Sequence, residues 1–408
     1  MKRSIRGANT RTIADFLGLE RNIVVLLGAI IIALTGERLW LGFASKYLET
    51  LGAGVFLIGL FDALQTMLGA IYAYPGAWLT DRLGQKKSLL VFSLISILGY
   101  LIVYIWPSRF ALLIGVFFFS AWSSLSLPAT FAVVATRLKR EKHTMGIGVQ
   151  ALVRRVPMML GPLIGGWLIT RDGWQKGVQE ALLTCMGFTV ATFVLQLFMF
   201  DNDAPGKTED GNGLSVLGVF RVFPTHLRGL LLSDILIRFC ERIPYAFIIL
   251  WAINLNGISA EKYGVLTAIE MVAAMLCYIP VAYLADKYGQ QPFILATFIF
   301  FTLFPISLLF AHNFAALALA FAVRGLKEFG EPARKALIIA YAPPALQSKA
   351  YGVYYLIRDC TVTTGSLVGA ALWKYSPQAN FLGAAICGLA GTAWFYFYVF
   401  HKPREQAS

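Results

Sequence analysis

The stretch Leu79-Thr80-Asp81-Arg82-Leu83-Gly84-Gln85 recurs later in the chain as Leu284-Ala285-Asp286-Lys287-Tyr288-Gly289-Gln290. An adjacent pair of opposite charges precedes each copy. Glu37-Arg38 precedes the first copy and Glu241-Arg242 precedes the second, about 204 residues further along the chain. Each pair interrupts a long apolar run, and charged side chains inside a membrane span are costly enough to be rarely accidental. The repeat predicts a membrane protein of two related halves with its site between them.

The composition also indicates a lipid bilayer. Hydrophobic residues make up 58% of the 408 residues and charged residues only 14%, whereas soluble domains carry roughly a quarter charged residues. The net charge of +13 could indicate nucleic-acid binding. Most Lys and Arg, however, fall in loops on one predicted side of the membrane, as the positive-inside rule requires. We therefore expect no nucleic-acid partner.

Twelve apolar runs are long enough to cross a bilayer, which takes about 20 residues. They lie near 23–48, 54–80, 88–106, 109–136, 143–170, 179–200, 229–254, 260–286, 292–310, 313–341, 347–373 and 378–400. We therefore predict an N-terminal six-helix bundle over 1–200, a cytoplasmic linker over 201–228 and a C-terminal six-helix bundle over 229–408. The basic N-terminus precedes an apolar run without a cleavage site, which predicts a multi-pass inner-membrane protein with both termini in the cytoplasm.

Other positions repeat at the same interval. Gly165 matches Gly369 in the fifth and eleventh spans, and Arg154 matches Arg358 in the same two spans. Six helices repeated in the same direction predict an all-α protein of two pseudo-symmetric bundles. The third, sixth, ninth and twelfth spans lack central charges, so we expect them to face lipid.

The repeated loops resemble the signature loop of the major facilitator superfamily, and they fall after the second and eighth spans as that family requires. The glycine usual four residues before the aspartate is replaced by Ala77 and Ala282. The resemblance implies the twelve-helix fold, alternating access, a monomer, and loops that hold one conformation closed. It assigns this latch to Asp81, Arg82, Gly84, Asp286, Lys287 and Gly289.

A second motif, Gly161-Pro162-Leu163-Ile164-Gly165-Gly166, resembles the end of the family's antiporter motif. The alternative is tight packing, because small residues let helices approach closely in lipid. The family's helix-4 arginine motif is not recognisable around Ser120–Ser123, although Arg324 stands at the matching place in the second half.

Charged residues within the spans mark the candidate site. The candidates for the substrate cavity and coupling are Glu37, Arg38, Arg154, Arg238, Glu241, Arg242, Arg324 and Arg358, and the candidate proton sites are Asp62 and Glu270. Helix geometry favours the cross-pairs Glu37 with Arg242 or Glu241 with Arg38. The alternative is a set of ion pairs that only hold the structure together. For the cluster Lys327, Glu328, Glu331, Arg334 and Lys335 we expect pairing within its own helix.

Several function classes are excluded. The Cys and His residues lack metal-ligand spacing, so we expect neither metal nor cofactor. No phosphate-binding loop or nucleophile–base pair occurs, which argues against direct use of ATP and against an enzyme. The sequence therefore predicts a proton-coupled secondary active transporter that moves a small organic solute, anionic or amphipathic. Of the two directions of transport, we expect export. The alternatives are a proton-coupled metabolite importer and a non-transporting sensor or assembly subunit. Its expected partners are the solute, protons and the bilayer.

Overall fold

The computed structural model describes residues 21–126, 153–199 and 215–400, and these ranges contain helices and their connections without a strand. Parts of the predicted spans 109–136 and 143–170, and the whole first half of the predicted linker, lie outside the described residues.

The helices are numbered here in chain order. They are α1 (Arg21–Leu41), α2 (Ala44–Thr50), α3 (Val55–Ile71), α4 (Ala73–Leu83), α5 (Gln85–Ile105), α6 (Arg109–Phe119), α7 (Arg155–Asp172), α8 (Trp174–Met199), α9 (Val216–Arg221), α10 (Thr225–Tyr245), α11 (Ile248–Leu250), α12 (Ala260–Tyr288), α13 (Gln291–Phe310), α14 (Phe314–Leu326), α15 (Glu331–Tyr341), α16 (Gln347–Tyr375) and α17 (Pro377–Phe395). π-Helical turns at Trp251–Leu255 and Tyr396–Phe400 continue α11 and α17.

Each predicted span has helical residues in the part of the chain that the structure describes. Six helical segments there are long and apolar enough to cross a membrane, or seven if α3 and α4, which bend by 43° at their junction, count as one. The other predicted spans correspond to α7, α10, α12, α14 with α15, and α16. These helices either carry charged residues within the predicted spans or are interrupted by a non-helical break.

Contacts between Cα atoms divide the chain into two compact units. The first comprises Met1–Gly42 and Ile71–Glu209, and the second comprises Phe43–Ala70 and Asp210–Ser408. Segment Phe43–Ala70 stands early in the sequence, yet it belongs to the second unit. Gly59 helps to explain this grouping, because a Cβ atom there would lie 2.8 Å from the Ser366 carbonyl oxygen. Only glycine permits so close an approach of α3 to α16.

The two units repeat the same internal packing. In the first unit α1 packs against α7 and α8, and in the second the corresponding α10 packs against α16 and α17. Likewise α5 packs against α6 and α8, while α13 packs against α14 and α17. The repeat that the sequence predicts is therefore present in the three-dimensional structure.

The helices predicted to face lipid expose large apolar side chains. Leu98 on α5, Val190 on α8, Ile299 on α13 and Leu389 on α17 are each more than 40% exposed. Apolar side chains on the outside of a bundle are stable in hydrocarbon, where polar groups would be costly.

Matched glycines bring matched helices together. A Cβ atom on Gly165 would overlap the Leu39 carbonyl oxygen, and one on Gly369 would overlap the Ile243 carbonyl oxygen. The two pairs are separated by the same interval as the sequence repeat. Gly165, one glycine of the antiporter-like motif, thus has a packing role. The antiporter interpretation of that motif stays a prediction.

The two signature loops share one backbone conformation. Gly84 follows α4 with φ of 80°, and Gly289 follows α12 with φ of 91°. This left-handed conformation favours glycine because it has no Cβ atom. The latch role of the neighbouring Asp81 and Asp286 stays a prediction.

We expect Gly369→Ala to destabilise the protein by about 1–3 kcal/mol, since an added methyl group in a packed interior forces its neighbours apart. Gly352→Ala in the same helix is the matched control, because in the described part of the chain no atom outside the backbone of its own helical turns lies within 4 Å of a Cβ there. That control should be neutral or stabilising, since alanine favours the helix. Thermal unfolding of the purified variants measures both, and equal melting temperatures would contradict the packing role of Gly369.

Candidate functional site

A cavity of about 240 Å³ lies within the second unit, where α3, α10 and α16 meet. Among the described residues that line it, half are charged and none is aromatic. They are Gln65, Thr66, Gly69, Ala70, Arg238, Glu241, Arg242, Arg358, Asp359 and Val362. Four residues that the sequence predicts for the site, Arg238, Glu241, Arg242 and Arg358, therefore lie around one cavity.

Asp62 lies one helical turn before the cavity residues of α3 and is only 4% exposed. The Ser366 hydroxyl donates a hydrogen bond of 2.5 Å to Asp62 Oδ2. Arg242 Nη1 stands 3.4 Å from Asp62 Oδ1. The carboxylate thus has one hydroxyl partner and one cation at long range, which is little compensation for a buried charge.

A chain of alternating charges runs through the interior of the second unit. It begins at Glu270, which pairs with Arg324 at 3.1 Å and with Lys327 at 3.4 Å. Its further pairs are Lys327–Glu241 at 2.7 Å, Glu241–Arg238 at 2.7 Å, Arg238–Glu331 at 3.3 Å, Glu331–Arg334, Arg334–Asp234, Asp234–Arg358 at 3.3 Å, and Arg358–Asp359 at 2.7 Å. Each buried charge therefore meets at least one of the opposite sign.

Asp234 is the central carboxylate that sequence reasoning missed. Its side chain is fully buried, and it accepts hydrogen bonds from Arg334, from Arg358 and from the Tyr354 hydroxyl. A signal was available, because Asp234 stands four residues before Arg238 and thus on the same face of α10.

The structure gives partners in the second unit for two residues of the predicted cross-pairs. Arg242 pairs with Asp62, and Glu241 pairs with Arg238 and Lys327. The cross-pairs Glu37 with Arg242 and Glu241 with Arg38 would join the two units, and they stay a prediction.

The charged cluster Lys327, Glu328, Glu331, Arg334 and Lys335 within the tenth span is only partly as predicted. Glu331 pairs with Arg334 and Lys335 on its own helix, as expected. Lys327, however, bonds to Glu241 on α10 and to Glu270 on α12. The cluster thus connects helices, and its pairing is not confined to one of them.

The first unit holds its own buried carboxylate. Glu37 is 4% exposed, and the groups that act on it are Arg38, Arg154 and the Ser123 hydroxyl. Within the described residues, Arg154 has two buried nitrogens, Nε and Nη2, without a hydrogen-bond partner. Arg154 and Arg358 match in sequence, yet only Arg358 is fully paired.

Among residues 21–126, 153–199 and 215–400, no three His, Cys, Asp or Glu side chains are placed to hold a metal ion together.

The helical repeat and the buried charges define an integral, multi-pass membrane transport protein. The sequence profile of the Major Facilitator Superfamily matches residues 25–248 and 230–408. The chain belongs to this superfamily, and it has the all-α, twelve-helix fold of a transporter and is not an enzyme.

Relatives and solved structures agree with this assignment. The chain is 23% identical over 380 residues to the multi-drug resistance efflux pump PmrA homolog of Lactococcus lactis, covering 90% of this chain and 91% of the relative. It is 24% identical over 375 residues to the multidrug resistance protein MdtG of Proteus mirabilis, covering 86% and 89%. The crystal structure of the nucleoside transporter NupG superimposes with a TM-score of 0.74 at 14% identity, covering 92% and 99%. That structural likeness shows the fold alone.

Proposed function

We propose that this protein is a proton-coupled secondary active transporter that exports a small organic solute, anionic or amphipathic, by alternating access. Export is supported by the relatives named as efflux proteins. Coupling to an ion gradient is supported by buried carboxylates beside arginines in both units. The sequence also lacks a phosphate-binding loop that would point to ATP.

The observation that carries the proposal is the group Asp62, Arg242 and Ser366 beside the cavity. Protonation of Asp62 would release one cation at 3.4 Å, whereas Glu241 has two cations at 2.7 Å. Of the carboxylates Asp62, Glu241 and Asp359, Asp62 thus holds its nearest cation at the longest distance, so its neutralisation breaks the weakest pairing. A carboxylate that changes charge beside a substrate cavity can link proton binding to solute binding.

The other predicted residues take supporting roles in this proposal. Glu37 with Arg38 and Arg154 forms the charged site of the first unit, and Glu241 and Glu270 hold the cations of the second. The loops at Asp81 and Asp286 close the cytoplasmic side in one conformation. We place the protein as a monomer in the cytoplasmic membrane with both termini in the cytoplasm.

Flux in proteoliposomes tests the proposal. The purified protein is reconstituted, a pH gradient is imposed in either direction, and accumulation of the amphipathic cation ethidium or of anionic carboxyfluorescein is followed. We expect ethidium to accumulate on the acidic side, opposite to proton flow, and to lose this accumulation when an ionophore collapses the gradient.

Three outcomes would contradict the proposal. Equal flux with and without the gradient would exclude proton coupling. Accumulation only in the direction of proton flow would favour the importer. Binding of these probes without flux would favour the non-transporting sensor. Protein-free liposomes provide the control for leakage of the probes.

A further inference from the structure

We infer that the cavity between α3, α10 and α16 binds a small anion, such as a carboxylate or another oxyanion, together with a proton on Asp62. The inference deepens the proposed function and rests on it for its place in a transport cycle.

Among the described residues, Arg242 is the cation of this cavity with the most unused hydrogen-bond donors. Arg238 directs its two terminal nitrogens at Glu241 and Glu331. Arg358 directs its nitrogens at Asp234 and Asp359. Within the described residues, Arg242 makes one hydrogen bond, of 3.4 Å, to Asp62.

The exposed fraction of the three arginine side chains that line the cavity also favours Arg242 as the anion-binding residue. The Arg242 side chain is 28% exposed, against 18% for Arg238 and 8% for Arg358. A guanidinium group has five N–H donors in a planar fork that suits oxyanions. An anion in the cavity would therefore bind first at Arg242.

The charge balance ties this anion to a proton. Lys335 pairs with Glu331 but its side chain is 46% exposed to solvent, so it is left out of the balance. The remaining ion-pair chain and the Asp62–Arg242 pair contain equal numbers of carboxylates and cations. They are Asp62, Asp234, Glu241, Glu270, Glu331 and Asp359, against Arg238, Arg242, Arg324, Lys327, Arg334 and Arg358. With all of them ionised this set is neutral, and it gains one positive charge when Asp62 is protonated. Protonation also frees Arg242 from Asp62, its one carboxylate partner among the described residues.

Neighbouring groups allow Asp62 to exist in both states. From α10 it faces Arg242 and the like charge of Glu241, and from α16 it faces Ser366. Glu241 is already held by Arg238 and Lys327, and Arg358 and Asp359 across the cavity pair with each other. The Ser366 hydroxyl can donate to the carboxylate or accept from the protonated acid, so Asp62 keeps a hydrogen bond either way.

The size of the cavity suits a small anion. Its volume of about 240 Å³ corresponds to about eight waters at ~30 Å³ each. Pockets for drug-sized molecules are larger, at about 300–1,000 Å³. A sulfate ion or a short carboxylate with some of its water would fill the space.

The linkage has a consequence for the cargo. Because coupling between two ligands is reciprocal, an anion at Arg242 strengthens proton binding at Asp62 by the same factor. Such an anion and its proton would move in one direction. Of the two solute types proposed above, the amphipathic one, neutral or cationic, is therefore the one exported in exchange for protons, and an anion bound at Arg242 moves with its proton.

Calorimetric titration of the purified full chain with sulfate tests the inference, because sulfate does not itself titrate at neutral or mildly acidic pH. We expect sulfate affinity to rise by up to about tenfold per pH unit of acidification, with about one proton taken up per sulfate bound. Titrations in two buffers of different ionisation enthalpy count that proton on the wild-type protein alone.

Two variants identify the residues. Asp62→Asn should make sulfate affinity independent of pH, and Arg242→Gln should reduce it at least about tenfold, as loss of a charged partner does. Glu49→Gln, an acid-to-amide change outside the cavity, should keep the wild-type pH dependence. Flat affinity in the wild type, persistent pH dependence in Asp62→Asn, or unchanged binding in Arg242→Gln would each overturn the inference. Since binding needs no flux, a failed flux assay would refute the proposed function separately.

Discussion

Asp234→Asn should destabilise the protein by about 3–5 kcal/mol, the usual cost of removing one partner from a buried ion pair. The substitution leaves two buried arginines, Arg334 and Arg358, facing a neutral amide. The Tyr354 hydroxyl also loses its charged acceptor. Thermal unfolding in detergent and the yield of monodisperse protein measure the effect.

A surface pair provides the matched control for Asp234. Asp172 lies beyond the predicted end of the fifth span and accepts a 2.5 Å hydrogen bond from Arg171, which lowers the pKa of the Asp172 carboxyl. The Arg171 side chain is 47% exposed, so water replaces the lost contact. Asp172→Asn should leave the melting temperature unchanged. If both variants melt like the wild type, the buried ion-pair chain does not stabilise the second unit.

Asp62→Asn should abolish accumulation driven by a pH gradient while leaving exchange of labelled for unlabelled solute intact. For one proton per cycle, each pH unit supplies about 1.4 kcal/mol, or about tenfold accumulation. Asparagine keeps the shape and the hydrogen bond to Ser366 but cannot change its charge. The accumulation ratio in proteoliposomes should therefore fall to one, whereas exchange, which needs no net proton movement, continues.

Other carboxylates distinguish coupling from structure. Glu37→Gln should also lose gradient-driven accumulation if Glu37 is the coupling group of the first unit. Glu241→Gln takes from both Lys327 and Arg238 their nearest carboxylate partner, at 2.7 Å, so it should lose exchange as well as accumulation. Glu49→Gln should behave like the wild type. Normal accumulation by Asp62→Asn would show that the coupling proton binds elsewhere.

The correspondence between sequence and structure is closest for the bundles. Hydropathy located the spans because every backbone polar group in a bilayer must bond within its own helix, which makes a span a local property of the sequence. The interval between Glu37 and Glu241 located the repeat, and Gly165 and Gly369 proved to occupy equivalent contacts. The positive φ angles of Gly84 and Gly289 likewise follow from matched loop sequences.

The ion-pair partners of the buried charges were harder to predict from the sequence. Charged residues could be identified within spans, since each is costly there. The pairing of carboxylates with cations depends on the rotation of each helix and on which helix lies beside it. The spacing of residues along one span predicts neither. Arg242 therefore pairs with Asp62 on α3, some 180 positions earlier in the chain.

By itself the sequence determined the helical membrane class, the twofold repeat, the superfamily and the residues that carry charge into the membrane. Only the tertiary structure decided that Phe43–Ala70 packs with the second unit, that Asp234 is the centre of an ion-pair chain, and that Asp62 and a cavity share Arg242. The physical reason is the range of the interactions. The preference of an apolar segment for the membrane is a local property of its own residues. The energy of a buried charge instead depends on groups that only folding brings within a few ångströms.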